Sequence, residues 1–345
     1  MGRFDTMPLE SQHPSFPVTP AKQRPGRPAW RRPETWQAYL FLLPSALLLG
    51  FFGILPLLNA AVLSLWDWRL QPGPWVGLEN YQRALLQEPE FWQSLGVSVW
   101  YVVGTVPLTL ALAYVLAELL HSGIRGLPLY RTLFFTPYIV SPVAAAAVWR
   151  WILNPDFGVA TALAQRLGWE PRWLQEEQGI FALAAGALHL PWPAMLQGPS
   201  LALVCIIGVT VWHSLGFAVV VLLAGLSAMP ADTLEAARLD GARGWTLMRR
   251  VKIPLLSPTL FFLVVIFTIR AFQMFTQIYV LSPDRAGGPA GSTRNMTLYI
   301  YQSFNDQMAR LGPGYGAAVA MLLFLMVLAL TLLQFRVLGR RVHYG

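Results

Sequence analysis

Apolar residues in this chain gather in long runs set apart by short polar passages. A helix needs roughly 20 apolar residues to cross a bilayer. Six runs approach or exceed that length: Tyr39–Leu65, Leu95–Leu119, Leu129–Leu153, Leu201–Gly225, Thr259–Leu281 and Tyr315–Leu338. Each is expected to form one transmembrane helix, giving an all-α integral membrane protein. Several runs carry proline (Pro44, Pro56, Pro107, Pro137, Pro142), which membrane helices tolerate where neighbours satisfy the freed carbonyls. The small residues Ala144, Ala145, Ala146 and Ala147 suit close helix packing. A seventh apolar stretch, Gly179–Leu190, runs only about a dozen residues before Pro191 and Pro193 and is too short to cross. It reads as an external interfacial or re-entrant helix.

Composition agrees. The 345 residues are 55% hydrophobic and 12% charged, with a mean hydropathy of +0.48, whereas soluble domains carry roughly 25% charged residues. The lone Cys205 lies in an apolar run, so no disulfide framework or paired-cysteine metal site exists within the chain. A formal charge of +8 could suggest nucleic acid, but in a membrane protein the distribution of charge decides. Residues 1–35 are polar and proline-rich with a basic end (Arg24, Arg27, Arg31, Arg32). They read as a disordered cytoplasmic tail near anionic lipid, with no cleavable signal peptide evident. Residues 36–345 then form one six-helix domain.

Orientation follows from the basic residues. The N-terminal tail holds six, the 120–131 connection two, the 226–258 loop five and the C-terminal end, counted from Arg336 at the close of the last run, three. The external connections, 66–94, 154–200 and 282–314, hold seven over far more residues, together with ten acids. Cytoplasmic loops collect Lys and Arg, so both termini and the 226–258 loop are expected in the cytoplasm. Trp66, Trp68, Trp100, Trp149 and Trp151 fall at the expected outer ends, where an interfacial belt would place them.

Catalytic signatures are missing. The two lysines, Lys22 and Lys252, follow no phosphate-cradling glycine loop, and the five histidines are scattered. No catalytic residue, metal site or cofactor is expected in this chain. Polar residues inside the runs are the remaining candidates, because they are expensive in lipid. Arg270 sits within the fifth run, with Gln273 and Gln277 on successive turns of the same helical face; Trp212 and His213 sit in the fourth, Asn59 in the first. One reading is a polar pathway for a hydroxylated solute. The other is that Arg270 snorkels or pairs with a carboxylate of another subunit, and that His213 only packs.

The loop from Glu235 to Pro254, EAARLDGARGWTLMRRVKIP, is the longest charged, helix-friendly passage of the C-terminal half. Asp232 and Glu235 have capping-box spacing. Gly241 breaks the helix and permits a reversal, and Ala242–Lys252 forms a second short helix ended by Pro254. From physics alone this is a solvated cytoplasmic loop. The order Glu235-Ala236-Ala237, Gly241, Val251, Ile253, Pro254 nevertheless resembles the EAA loop of ABC importer permeases, with Val251 and Ile253 mild departures. Three further passages are similar to the carbohydrate-type members: Gly77-Leu78-Glu79-Asn80-Tyr81 before Phe91-Trp92, Asn154-Pro155-Asp156-Phe157-Gly158, and Gly287-Gly288-Pro289 with Thr293 and Tyr299-Ile300-Tyr301. The resemblance runs from about Phe41 to the C-terminus and points to sugar-importing permeases related to the maltose and glycerol-phosphate systems. Departures are a long 159–200 connection with Glu177–Gly198 looking inserted, Thr276 where the family often has Asp, and Val97-Ser98 in place of Asn-Thr.

What the resemblance implies is an inner-membrane permease subunit that pairs with a second homologous permease subunit and two ATP-hydrolysing subunits. ATP and Mg would be held by those partners, and an external solute-binding protein would deliver a sugar. Glu235, Ala236, Ala237, Gly241 and Pro254, with Asp240 and Trp245 beside them, would dock the ATPase. The rival expectation is an ion-coupled secondary transporter; it needs an intramembrane acid, and only Glu118, near a cytoplasmic end, offers one.

Overall fold

The computed structural model describes residues 33–69, 71–121, 126–188, 193, 197–282, 287–305 and 311–339. The basic tail (1–32), Arg125, Arg285, Arg310, residues 340–345, and 189–192 and 194–196 of the segment that looks inserted lie outside them. Every regular element among the described residues is helical, and four helices are long and apolar enough to cross a membrane, or up to six if each of two bent pairs counts as one span. The molecule is thus an all-α integral membrane protein, as its apolar runs predict.

Two compact units divide at Leu57–Leu58. The first contains α1 (Pro33–Leu49) and a π-helical turn, Gly50–Ile54, where Leu55 N–H reaches back five residues to the Gly50 carbonyl. Trp36 packs edge-on to Tyr39 and Phe51 to Phe52. The apolar side chains of this unit are almost all exposed, a surface of the kind that lipid or another chain covers.

The second unit begins within α2 (Leu55–Leu63) and continues through α3 (Glu79–Leu86), α4 (Pro89–His121), α5 (Leu127–Ile139), α6 (Pro142–Ile152), α7 (Val159–Gln165) and α8 (Ile180–Ala187). Then come α9 (Leu201–Ser227), α10 (Ala231–Leu239), α11 (Gly244–Leu255), α12 (Ser257–Phe272), α13 (Thr276–Leu281), α14 (Met296–Phe304) and α15 (Gly312–Val337). Its centre is α9. In the most apolar stretch of α9, 61% is buried, against 33% for α4 and 28% for α15, so α9 is the helix the others surround. It lies along α4, where buried Tyr101 donates its hydroxyl to Thr210 Oγ1 at 2.9 Å. On another side it approaches α5 so closely that a Cβ on Gly216 would lie 2.2 Å from the Phe134 carbonyl oxygen.

Two expected spans are broken. The third is bent by 94° between Ile139 and Pro142. Pro142 opens α6 and pushes Ser141 into extended backbone (ψ 128°), since the proline ring disfavours a helical residue before it. The fifth leaves helix at Phe272, not Leu281: Gln273 to Phe275 are irregular before α13. At 16 residues, or about 24 Å of helix, α12 is by itself shorter than the about 30 Å hydrocarbon core. Gln273, the C-cap of α12 with its N–H on the Ile269 carbonyl, still follows Arg270 by one turn, whereas Gln277 does not continue that face, because the backbone turns between them.

The connections are fastened by the short motifs noted above. Asn80 Nδ2 donates to the Ser64 and Trp66 carbonyls at 2.9 and 3.0 Å, closing the turn after α2. Asn154 Oδ1 accepts the N–H groups of Asp156 and Phe157, an Asx turn after α6. Thr293 N–H donates to the Gly287 carbonyl at 2.7 Å, and the buried Tyr299 and Tyr315 hydroxyls share a 2.9 Å hydrogen bond. At α8, Ile180 N–H donates to the Pro199 carbonyl. Its eight residues cover about 12 Å, well short of the about 30 Å hydrocarbon core.

Candidate functional site

Both helix breaks open onto one cavity of about 590 Å³, inside the range of roughly 300–1,000 Å³ of small-molecule sites. The break after α5 presents Tyr138 and Pro142; the break after α12 presents Gln273, Met274 and Phe275. Breaking a helix strands backbone carbonyls, and both sets are met by side chains from elsewhere. His213 on α9 has Nε2 3.3 Å from the Val140 carbonyl oxygen. The Met274 carbonyl accepts from Asn295 Nδ2 and from the Thr297 hydroxyl, both beyond the GGP turn. Irregular backbone at this depth is stable where it lines a cavity and its polar groups are satisfied.

Four of the six candidate pathway residues meet here: His213, Arg270, Gln273 and Gln277 line the cavity. Arg270 Nη1 donates to the Tyr138 hydroxyl at 3.2 Å, and its guanidinium stands 5.4 Å from the Phe217 ring centroid. Tyr138 in turn stacks on Phe217 at 5.2 Å. The other two lie elsewhere. Trp212, next to His213, packs instead against Trp149, with ring centroids 5.5 Å apart, and is not among the lining residues. Asn59 sits on α2 and is not among the lining residues. Thr105 and Thr109 on α4 and Thr210 and Ser214 on α9, which the apolar runs did not single out, complete the wall together with Thr276, the position that departs from the family's Asp. Threonines and serines inside an apolar run give little signal, because bonding to the carbonyl one turn back hides their polarity; Thr105 and Thr210 both do this.

The second candidate region is the passage from α10 to α11. Asp232 does not cap α10: Pro230 is the N-cap, and Asp232 stands in the first turn, where a carboxylate favours the positive end of the helix dipole. At the other end Gly241 adopts φ +85°; its N–H donates to the Arg238 carbonyl, and Ala242 N–H donates to the Ala237 carbonyl. These are the two hydrogen bonds of a Schellman motif. Glu235, Ala236, Asp240, Gly241 and Trp245 are exposed and Ala237 half-buried, and Leu239 and Trp245 are large apolar side chains at 88% and 67% exposure.

Pro254 does not end the second helix. Met248–Lys252 form a π-helical turn, with Ile253 N–H reaching back to the Met248 carbonyl, and helix continues to Leu255. The break falls at buried Leu256, where α11 and α12 meet at 70°. Lys252, largely buried, donates to Glu118 near the end of α4.

Comparison with known proteins fits this geometry. Residues 109–344 match the family described as binding-protein-dependent transport system inner membrane component. The chain is 34% identical to the probable ABC transporter permease protein YesP of Bacillus subtilis (strain 168), over 91% of this chain and 94% of that protein. It is 33% identical to the sn-glycerol-3-phosphate transport system permease protein UgpA of Agrobacterium fabrum, over 78% of this chain and 83% of that one. Among solved structures, a chain of a bacterial alginate ABC transporter, crystallised in complex with an alginate pentasaccharide-bound periplasmic protein, superposes with a TM-score of 0.72 at 17% identity, covering 90% of this chain and 97% of that chain. An all-helical membrane fold with two broken spans, matched over more than two thirds of its length, places this chain in the family of binding-protein-dependent transport system inner membrane components.

Proposed function

We propose that this chain is the permease subunit of an ATP-driven importer for a sugar or sugar-like solute, with the cavity at the two helix breaks as part of the solute path. The observation that carries the reading is the continuity from exposed loop to cavity. Leu239 and Trp245 are exposed on either side of the Gly241 turn; α11 leads from there through one break residue, Leu256, into α12, whose far end is the cavity wall. A push on α10 and α11 is thereby transmitted to Arg270 and Gln273 as a movement of whole helices between two packings.

In this reading the passage 226–258 lies in the cytoplasm with both termini, and Glu235, Ala236, Ala237, Asp240, Gly241, Trp245 and Pro254 shape or form the surface that meets an ATP-hydrolysing subunit. A second homologous permease subunit completes the pathway, two ATPase subunits hold ATP and Mg, and an external binding protein delivers solute at 66–94, 154–200 and 282–314. Names of the relatives support solute classes from glycerol phosphate to alginate. The ion-coupled alternative needs a titratable acid on the solute path. Glu118, the acid available within a span, pairs with Lys252 and does not line the cavity.

Reconstitution tests the reading. With its companion subunits and binding protein in proteoliposomes, the chain is expected to give solute uptake that requires ATP on the cytoplasmic side. Uptake driven by an ion gradient in the absence of any ATPase subunit would refute it.

A further inference from the structure

The cavity holds a charge that no described residue neutralises. Arg270 is the sole Lys, Arg, Asp or Glu among the lining residues. The ion pairs among the described residues join Arg69 to Asp67, Arg83 to Glu88, Lys252 to Glu118 and Arg294 to Glu90; Arg270 belongs to none. Its contacts are a neutral phenol and an aromatic face. These orient the guanidinium and leave most of its N–H donors to the cavity. An arginine inside a membrane protein is costly unless it has a partner, and such residues mark ligand or ion paths. Around it, the side chains of Thr109, Ser214, Gln273 and Gln277 have no hydrogen-bond partner among the described residues while lining the same space. They supply neutral donors and acceptors of the kind that match hydroxyl groups.

Resting on the importer reading, we infer that the cavity takes an anionic polyhydroxylated solute, a sugar acid or sugar phosphate, whose oxyanion is bound by Arg270 while the amides and hydroxyls hold its ring. A planar guanidinium offers parallel N–H groups to a carboxylate or a phosphoryl group alike, so the two share one recognition chemistry. Tyr138 is a positioning residue: its hydroxyl fixes one guanidinium nitrogen and thereby the direction of the fork. Neutral sugars leave the charge unpaired and are poor cargo.

The test uses the complete importer in proteoliposomes with matched probes: a hexuronate against its hexose, a disaccharide with one uronate against its neutral counterpart, and a hexose phosphate against the hexose. Acidic probes are expected to enter at least about tenfold faster than their neutral partners. Preference within the acidic set separates carboxylate from phosphoryl recognition. Arg270→Gln is expected to raise the KM for the acidic probe about tenfold or more and to erase the preference; Arg270→Lys keeps part of it. Tyr138→Phe, which retains the ring stacked on Phe217, is expected to lower the preference with Arg270 intact. Neutral probes carried as fast as acidic ones, with Arg270→Gln changing neither, overturn the inference and leave the importer reading standing. Loss of copurifying permease partner in Arg270→Gln overturns it in favour of a carboxylate from that partner. Absence of ATP-dependent uptake of every probe overturns the importer reading and the inference together.

Discussion

Gly241 shows how one residue sets the shape of the proposed docking surface. At φ +85° it occupies the left-handed region, so a side chain there strains the backbone although no atom stands within 4 Å of the Cβ position. The left-handed conformation costs an L-residue roughly 1–2 kcal/mol, enough to open the Schellman turn that separates Leu239 from Trp245. Gly241→Leu should therefore insert normally yet lose most solute uptake per ATP hydrolysed, whereas Gly241→Asn, which tolerates this conformation, should keep much of it. Uptake per ATP measured on both variants in proteoliposomes checks this; full coupling in Gly241→Leu would remove the turn from the mechanism. His213 has the complementary role of satisfying what a break exposes. Removing its ring nitrogen in His213→Leu strands the Val140 carbonyl, a loss of about 1–3 kcal/mol. Thermal unfolding in detergent should show a lowered midpoint, and an unchanged midpoint would mean that water takes over the carbonyl.

Among the elements, prolines do not all act alike: Pro44, Pro107 and Pro137 sit inside helices, while Pro142, Pro56 and Pro254 coincide with a bend or follow a π-helical turn. At Pro142 the helix bends. At Pro56 and Pro254 it continues, because a π-helical turn ends two residues upstream in each case: Gly50–Ile54 before Pro56 and Met248–Lys252 before Pro254. The extra residue in the turn shifts the hydrogen-bond register past the missing N–H and moves the carbonyl that the ring would strike. Through that turn α11 presents Lys252 to Glu118 on α4, tying the exposed loop to a central span. Glu118 Oε2 is buried with no hydrogen bond of its own among the described residues, so removal of Lys252 leaves a half-buried carboxylate without its ion-pair partner. Because the Glu118 side chain is partly exposed, Lys252→Met is expected to destabilise the chain by about 1–3 kcal/mol, and Lys252→Met with Glu118→Leu to recover most of that, since apolar pairs replace buried ion pairs well. Unfolding midpoints of the single and double variants give the answer; equal losses in both would show that packing, not charge, joins these helices.

For the molecule as a whole, the sidedness of the connections is the property on which the proposed mechanism depends. Leu239 and Leu167 are exposed at 88% and 86% and lie on connections assigned to opposite faces of the membrane. In a Cys205→Ser background, Leu239→Cys should react with an impermeant maleimide only from the cytoplasmic side and Leu167→Cys only from the external side. Both labelled from one side would reverse the assignment of the 226–258 passage. The gross plan was legible because hydropathy is additive along the chain: α4, α9 and α15 each begin and end near the limits of an apolar run. The turn at Gly241 was legible because a glycine after a helix-favouring stretch locally specifies a left-handed stop.

The sequence by itself determined the class of the molecule, the positions of its membrane runs and the cost attached to Arg270 and His213, because each depends on the transfer of particular side chains out of water. It did not determine that two runs are broken, or that the breaks share a cavity. The stop at Phe272 has no proline or glycine behind it; Asn295 and Thr297, twenty residues on, stabilise it by taking up the Met274 carbonyl. Likewise His213 is 73 residues from the carbonyl it meets, and Gln277 reaches the cavity only because its helix starts afresh. A break in a membrane helix is stable when distant groups satisfy its backbone, and which groups those are is decided by packing.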